Sequence, residues 1–299
     1  MRACALAIAC FLSFVVMPAA AAEPPAPQVR STEIGIEGDA ATVWYPAAVD
    51  RRVPVVLLLP GANVRKQYYA GFASALADYG FVVVVPEHYP LPFLGYSVPS
   101  EHLLNRAVAW ARAEVANPVS PIGAVLDPGT LLVAGHSYGA ATALYAAADR
   151  CQPPFCFGLS YRRPPELRAI VGHGANTTVG GSVDPVAVQG IPVMFINGTN
   201  DGVSELAEAY ASFTRLTGAP SSAFVNLLGA NHFCLTDENN PPGAAPDPRV
   251  PTTSWGASIA TAARWTAMWF LAQLGDRAAR DYVYRVGPQQ DSAVHVELR

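Results

Sequence analysis

Hydrophobic positions along this chain fall into short unbroken runs, separated by longer stretches in which they recur every three or four residues. Residues 53–59 and 81–85 are apolar without alternation, the pattern of strands buried on both faces of a mostly parallel sheet. Residues 131–134, 167–171, 192–196 and 222–228 read as strands too. Between them, residues 67–79, 101–115, 138–148 and 204–216 carry helical periodicity, and Gly80 stops the first of these. Residues 253–274, with Trp255, Trp265 and Trp269, predict a closing helix. Ahead of the first buried run, residues 29–36 and 41–45 have alternating or β-branched character around Glu37-Gly38-Asp39, which predicts an opening hairpin. Strands alternating with helices predict an α/β fold, a mostly parallel central sheet covered by helices on both faces.

The ends of the chain read differently. Arg2, the apolar stretch 3–16 and Ala20-Ala21-Ala22 before Glu23 have the form of a secretory signal over residues 1–22, which places the mature protein outside the cell or in the periplasm. The apolar stretch is short for a membrane anchor and is followed by Pro18, so no stable membrane insertion is expected after processing. A chain that keeps its N-terminus would instead be surface-attached. Residues 23–28 form a Pro-rich flexible leader, residues 29–275 a single domain, and residues 276–299 a polar tail with a possible final strand at 293–298.

Composition narrows the class. With 299 residues, 51% of them hydrophobic and 14% charged, there is enough apolar material for one large domain. Arg2 is the only basic residue in the leader, so the mature chain keeps 18 basic against 23 acidic residues and a net charge of about −5. Basic residues occur in no run longer than Arg51-Arg52 or Arg162-Arg163, which argues against a nucleic-acid partner. Cys151, Cys156 and Cys234 remain after the leader. Either Cys151 and Cys156 close their own short loop, or Cys234 bridges from elsewhere. No Cys-x-x-Cys or His-x-x-x-His pair is present, and neither metal nor cofactor is expected.

Candidate chemistry sits at strand ends. Leu131-Leu132-Val133-Ala134-Gly135-His136-Ser137-Tyr138-Gly139-Ala140 is a buried strand, a Gly-x-Ser-x-Gly turn and a helix start. That context exposes a serine hydroxyl at the carboxyl end of a strand, making Ser137 the candidate nucleophile. A serine needs a base oriented by a carboxylate, in the chain order Ser, acid, His. Of six histidines, His88 and His102 precede the serine, His136 is its neighbour and is expected to point away, and His295 lies in the tail. His232, in Gly229-Ala230-Asn231-His232-Phe233 after the last run, is preferred over His173, which is expected on the pocket wall or the surface. Asp201, just past residues 192–196, is the candidate acid; Asp184 and Asp237 fit the order less well. The backbone amides of Ala62, in Pro60-Gly61-Ala62-Asn63, and of Tyr138 are the candidate oxyanion hole.

Four segments together resemble one branch of the α/β-hydrolase family: Leu59-Pro60-Gly61-Ala62, Leu76-Ala77-Asp78-Tyr79-Gly80-Phe81-Val82-Val83-Val84-Val85-Pro86, Gly135-His136-Ser137-Tyr138-Gly139 and Gly229-Ala230-Asn231-His232-Phe233. That branch includes cutinase-like bacterial polyester hydrolases, chlorophyllases and platelet-activating-factor acetylhydrolases, and the likeness covers roughly residues 53–274. It implies the same roles for Ser137, Asp201, His232 and the amides of Ala62 and Tyr138. There are departures. Cutinase-like members usually carry an aromatic residue at the place of Ala62. The bridge some polyester hydrolases make near the histidine is missing a partner, because Gly198 stands opposite Cys234. Residues 149–167 and 177–189 have no counterpart and are candidates to wall or cover the pocket.

The sequence thus predicts a secreted serine hydrolase that cleaves carboxylic esters through an acyl-enzyme on Ser137, acting on small-molecule, lipid or polymer esters. A peptidase or thioesterase with the same triad, or a hydrolase-fold protein that binds without catalysis, is the alternative.

Overall fold

The computed structural model describes residues 29–88, 95–152 and 160–299. The expected leader lies outside them. The chain opens with β1 (Val29–Ile36) and β2 (Asp39–Pro46), a hairpin paired antiparallel around Glu37-Gly38. Then follow β3 (Val53–Leu59), a one-turn 3-10 helix Lys66–Tyr69 running into α1 (Ala70–Asp78), β4 (Val82–Pro86) and α2 (His102–Ala116). The central unit is β5 (Leu126–His136), α3 (Tyr138–Ala147) and β6 (Leu167–His173). A short hairpin, β7 (Thr178–Val179) and β8 (Ser182–Val183), precedes β9 (Val193–Gly198), α4 (Leu206–Thr214), β10 (Ser222–Leu227), α5 (Trp255–Gln273) and β11 (Val294–Leu298).

Among the described residues, nine strands form one sheet in the order β1-β2-β4-β3-β5-β6-β9-β10-β11. The inner pairings from β4 to β10 are parallel, and antiparallel pairs close both edges. The unbroken apolar runs have a direct cause in this arrangement. In β3, Val53, Val55, Leu57 and Leu59 pack toward α2 and α3 on one face, while Val56 and Leu58 pack toward α1 and α5 on the other. Every position of the strand except the half-buried Pro54 therefore leaves water, whichever way it points. On the face shared with α1, α5 contributes Trp265, Trp269 and Phe270, all fully buried.

The C-terminal segment, expected as a polar tail with a possible final strand at 293–298, packs onto the sheet. Asp276 caps a short helix, Arg277–Asp281, by accepting the Ala279 N–H at 2.8 Å. Beyond it, β11 pairs antiparallel with β10, and Val294 is buried against the sheet with Val296 and Leu298 packed beside it. The domain thus extends to Leu298. Its apolar residues alternate over only five positions, which makes the segment look polar when averaged.

Candidate active site

Ser137 is itself the turn between β5 and α3. Its backbone sits at φ 52°, ψ −119°, a conformation that costs a residue with a Cβ on the order of 1–3 kcal/mol. Close packing on both sides holds it there. A Cβ on Gly135 would lie 2.5 Å from the Gly139 carbonyl oxygen, and one on Gly139 would lie 2.3 Å from that of Leu59, so only glycine fits either place. The Ser137 N–H donates to the His173 carbonyl at 2.8 Å, tying the turn to β6.

Two other strand ends supply an acid and a histidine. Asp201 follows β9 and His232 follows β10, and both are buried. Asp201 Oδ1 accepts the N–H groups of Val203 and Ser204 at 2.9 and 2.7 Å, which aims Oδ2 at His232 Nδ1, 2.9 Å away. A carboxylate only accepts, so Nδ1 carries the proton and Nε2 keeps its lone pair. Gly174, at φ 56°, lets the backbone after β6 lie against this pair: a Cβ there would be 2.9 Å from His232 Nδ1. His232 and Ser137 open on the same cavity. Among the described residues no hydrogen bond joins them; such bonds commonly tighten only when substrate is in place.

Ala62 and Tyr138 also line this cavity. Tyr138 begins α3, whose amide end faces the serine, and the Ala62 N–H has no protein acceptor among the described residues. A buried relay connects these parts. The Gly61 N–H donates to Tyr69 Oη at 2.8 Å, the Tyr69 hydroxyl donates to His136 Nδ1 at 2.8 Å, and His136 Nε2 donates to the His232 carbonyl at 2.9 Å. His136 therefore does not point away from the site, as its place beside Ser137 suggests; it lies beneath it, fully buried. Burial, and then the neighbouring His232, hold its pKa well below the usual value, which keeps it neutral.

The remaining candidates have structural places. His173 is neither on the wall nor on the surface: it is fully buried, edge-on to Phe72 at 5.1 Å. Asp184 pairs with Arg150 and accepts the Tyr145 hydroxyl. Asp237 accepts the Ala70 and Gly71 N–H groups at the start of α1. Cys151 is disulfide-bonded and Cys156 lies outside the described residues. Cys234 is a free, buried thiol, so no bridge runs from the histidine loop; burial, then the Asp201 charge, push its pKa up to about 12.

The cavity has a volume of about 830 Å³. No Asp, Glu, Lys or Arg side chain is among its described lining residues. The segments expected to have no family counterpart contribute walls: Gln152, and Thr177, Thr178, Val179 and Gly180 at the β7–β8 hairpin. Sequence reading missed Tyr69, His136 and Asp247. The carboxylate of Asp247 accepts the His232 N–H at 2.8 Å from a loop with no periodicity to mark it. Tyr69 had only its place in an apolar helical stretch.

A family model described as PETase, PET hydrolase-like, matches residues 26–245, well over half of the chain. No curated protein shows significant similarity to it.

Proposed function

We propose, from the premise that the chain belongs to the PETase, or PET hydrolase-like, family, that this ester hydrolase is a secreted serine enzyme acting through an acyl-enzyme on Ser137. The observation that carries the reading is the buried Asp201–His232 pair, held at 2.9 Å and opening on the cavity that Ser137 also lines. In this mechanism the Ser137 hydroxyl turns to His232 Nε2 and gives up its proton as Oγ attacks the ester carbonyl. The carbonyl oxygen gains negative charge and is received by the N–H groups of Ala62 and Tyr138, with the positive end of α3 behind them. Asp201 keeps Nδ1 protonated and stabilises the imidazolium. The proton then passes from Nε2 to the leaving alcohol as the carbon–oxygen bond breaks. Water, activated by the same nitrogen, releases the acid and restores the serine.

The walls favour an uncharged substrate. Among its described lining residues the cavity presents no carboxylate, ammonium or guanidinium side chain to pair with a charged substrate, while its amide and hydroxyl groups suit neutral esters. The family description puts polyester chains among the substrates to test beside small and lipid esters. Hydrolysis of p-nitrophenyl esters of increasing acyl length, with Ser137→Ala run in parallel, is the deciding experiment. Activity is expected to fall on the order of a million-fold in the variant while the fold is kept. Undiminished turnover would sink the assignment. Turnover of amides or thioesters alone would move it to a peptidase or thioesterase, and no turnover on any substrate to a binding protein.

A further inference from the structure

The loop after the histidine turn, residues 239–253, has no regular structure, yet it fastens the two turns that carry Asp201 and His232. Asp247 is its centre. This side chain is 6% exposed, and Oδ2 accepts the backbone N–H of His232 itself at 2.8 Å. The N–H of Gly202, the residue after Asp201, reaches both carboxylate oxygens at 3.2 and 3.3 Å. The Arg249 N–H fills Oδ1 at 2.8 Å. Around this core, Arg249 Nη1 donates to the Asp201 carbonyl at 3.1 Å, and Asn231 Nδ2 donates to the Arg249 carbonyl at 3.1 Å. A Cβ on Gly202 would lie 2.7 Å from Asp247 Oδ1, so the acid turn is shaped to admit this carboxylate.

Two features set Asp247 apart from a loop residue that merely closes hydrogen bonds. Its acceptors are taken by backbone amides, with no salt bridge to a basic side chain among the described residues, so its desolvation is offset only by holding those amides in place. It also stands between Pro246 and Pro248, whose rings restrict the backbone on both sides of it. The same loop presents Ala244 and Ala245 to the cavity. The segment ends the family match at residue 245 and carries Asp247 beyond it.

We propose that Asp247 is a positioning residue for the Asp201–His232 pair, setting the separation of the acid turn and the histidine turn. The proposal rests on the serine-hydrolase reading above. An imidazole displaced by about 1 Å from its reacting partner loses on the order of 100-fold in rate, so release of either turn reaches the chemistry without touching substrate.

The test uses the full-length protein carrying Asp247→Asn, with Asp247→Ala as the harsher change. A fluorophosphonate counts active serines, so that loss of folded protein is separated from loss of rate per site. Asp247→Asn is expected to keep one labelled serine per chain and a KM within about three-fold, while kcat and the labelling rate fall roughly 10- to 100-fold. In an Asp201→Asn background the same change is expected to add less than about three-fold, because the pair it positions is already disabled. An unchanged rate per labelled site overturns the proposal, as does a full additional loss in the Asp201→Asn background. Ser137→Ala, run alongside, keeps the two ideas apart: retained activity there defeats the serine reading itself, whereas an inactive Ser137→Ala beside an unaffected Asp247→Asn defeats only the positioning role.

Discussion

Tyr69 illustrates how much one hydroxyl can hold at the residue scale. It accepts from Gly61, on the loop that carries the Ala62 amide, and donates to His136, the residue before the serine. Tyr69→Phe keeps the ring and its packing but leaves a buried N–H and a buried imidazole nitrogen without partners. The expected cost is about 1–3 kcal/mol of stability, with a fall in kcat of roughly ten-fold as the oxyanion loop loses its anchor. Urea denaturation and steady-state kinetics check this. If both stay at wild-type values, the relay is incidental. Ser137, Asp201 and His232 are legible in the sequence because each stands just after an apolar run, at the one end of a parallel strand where loops converge. Tyr69 and Asp247 are not, because their partners lie in distant segments whose approach depends on the rest of the fold.

At the scale of elements, the expected strands and helices appear in order, with ends shifted by a few residues. The differences lie where the apolar signal is thin. β7 and β8 are two residues each, too short for any period to show, yet their hairpin builds part of the cavity wall. β11 was expected only as a possible strand in a tail, but it protects an edge of the sheet. Five register pairs join it to β10, and Asp291 just before it accepts the Trp265 indole N–H at 2.9 Å and pairs with Arg264. Deleting residues 292–299 would expose β10 and the site of Val294. It is expected to cost on the order of 3 kcal/mol or more, seen as a lower denaturation midpoint. A midpoint unchanged by the deletion would mean that the segment is dispensable after all.

For the whole molecule, the buried histidines contribute to the response to acid. Burial in the core between β6, α1 and α5 lowers the pKa of His173 to about 3, against about 6.5 in an unfolded chain. The folded value is depressed, so this contribution to stability is complete above about pH 6.5 and is lost as the pH falls toward 3. Burial lowers His136 and His88 in the same direction. Each such group removes up to about 1.4 kcal/mol per pH unit within its window. Unfolding free energy measured between pH 7 and pH 4 is expected to fall accordingly. In His173→Gln the slope, whatever the absolute stability, is expected to flatten by about 1.4 kcal/mol per pH unit. A slope equal to that of the wild type would show that His173 does not titrate on unfolding in this range.

The sequence by itself determined the α/β layering, the strand-turn-helix context of Ser137 and the order of serine, acid and histidine. These are properties of local pattern: hydrophobic period, glycines at a tight turn, and polar residues placed where a strand stops. Only the tertiary structure decided that His136 lies beneath the serine, that Cys234 is unpaired, that the β7–β8 hairpin walls the cavity and that Asp247 joins the turns of Asp201 and His232, 31 residues apart. Those relations belong to loops, strand ends and strands too short to show a period, whose neighbours are chosen by the sheet that brings distant segments together.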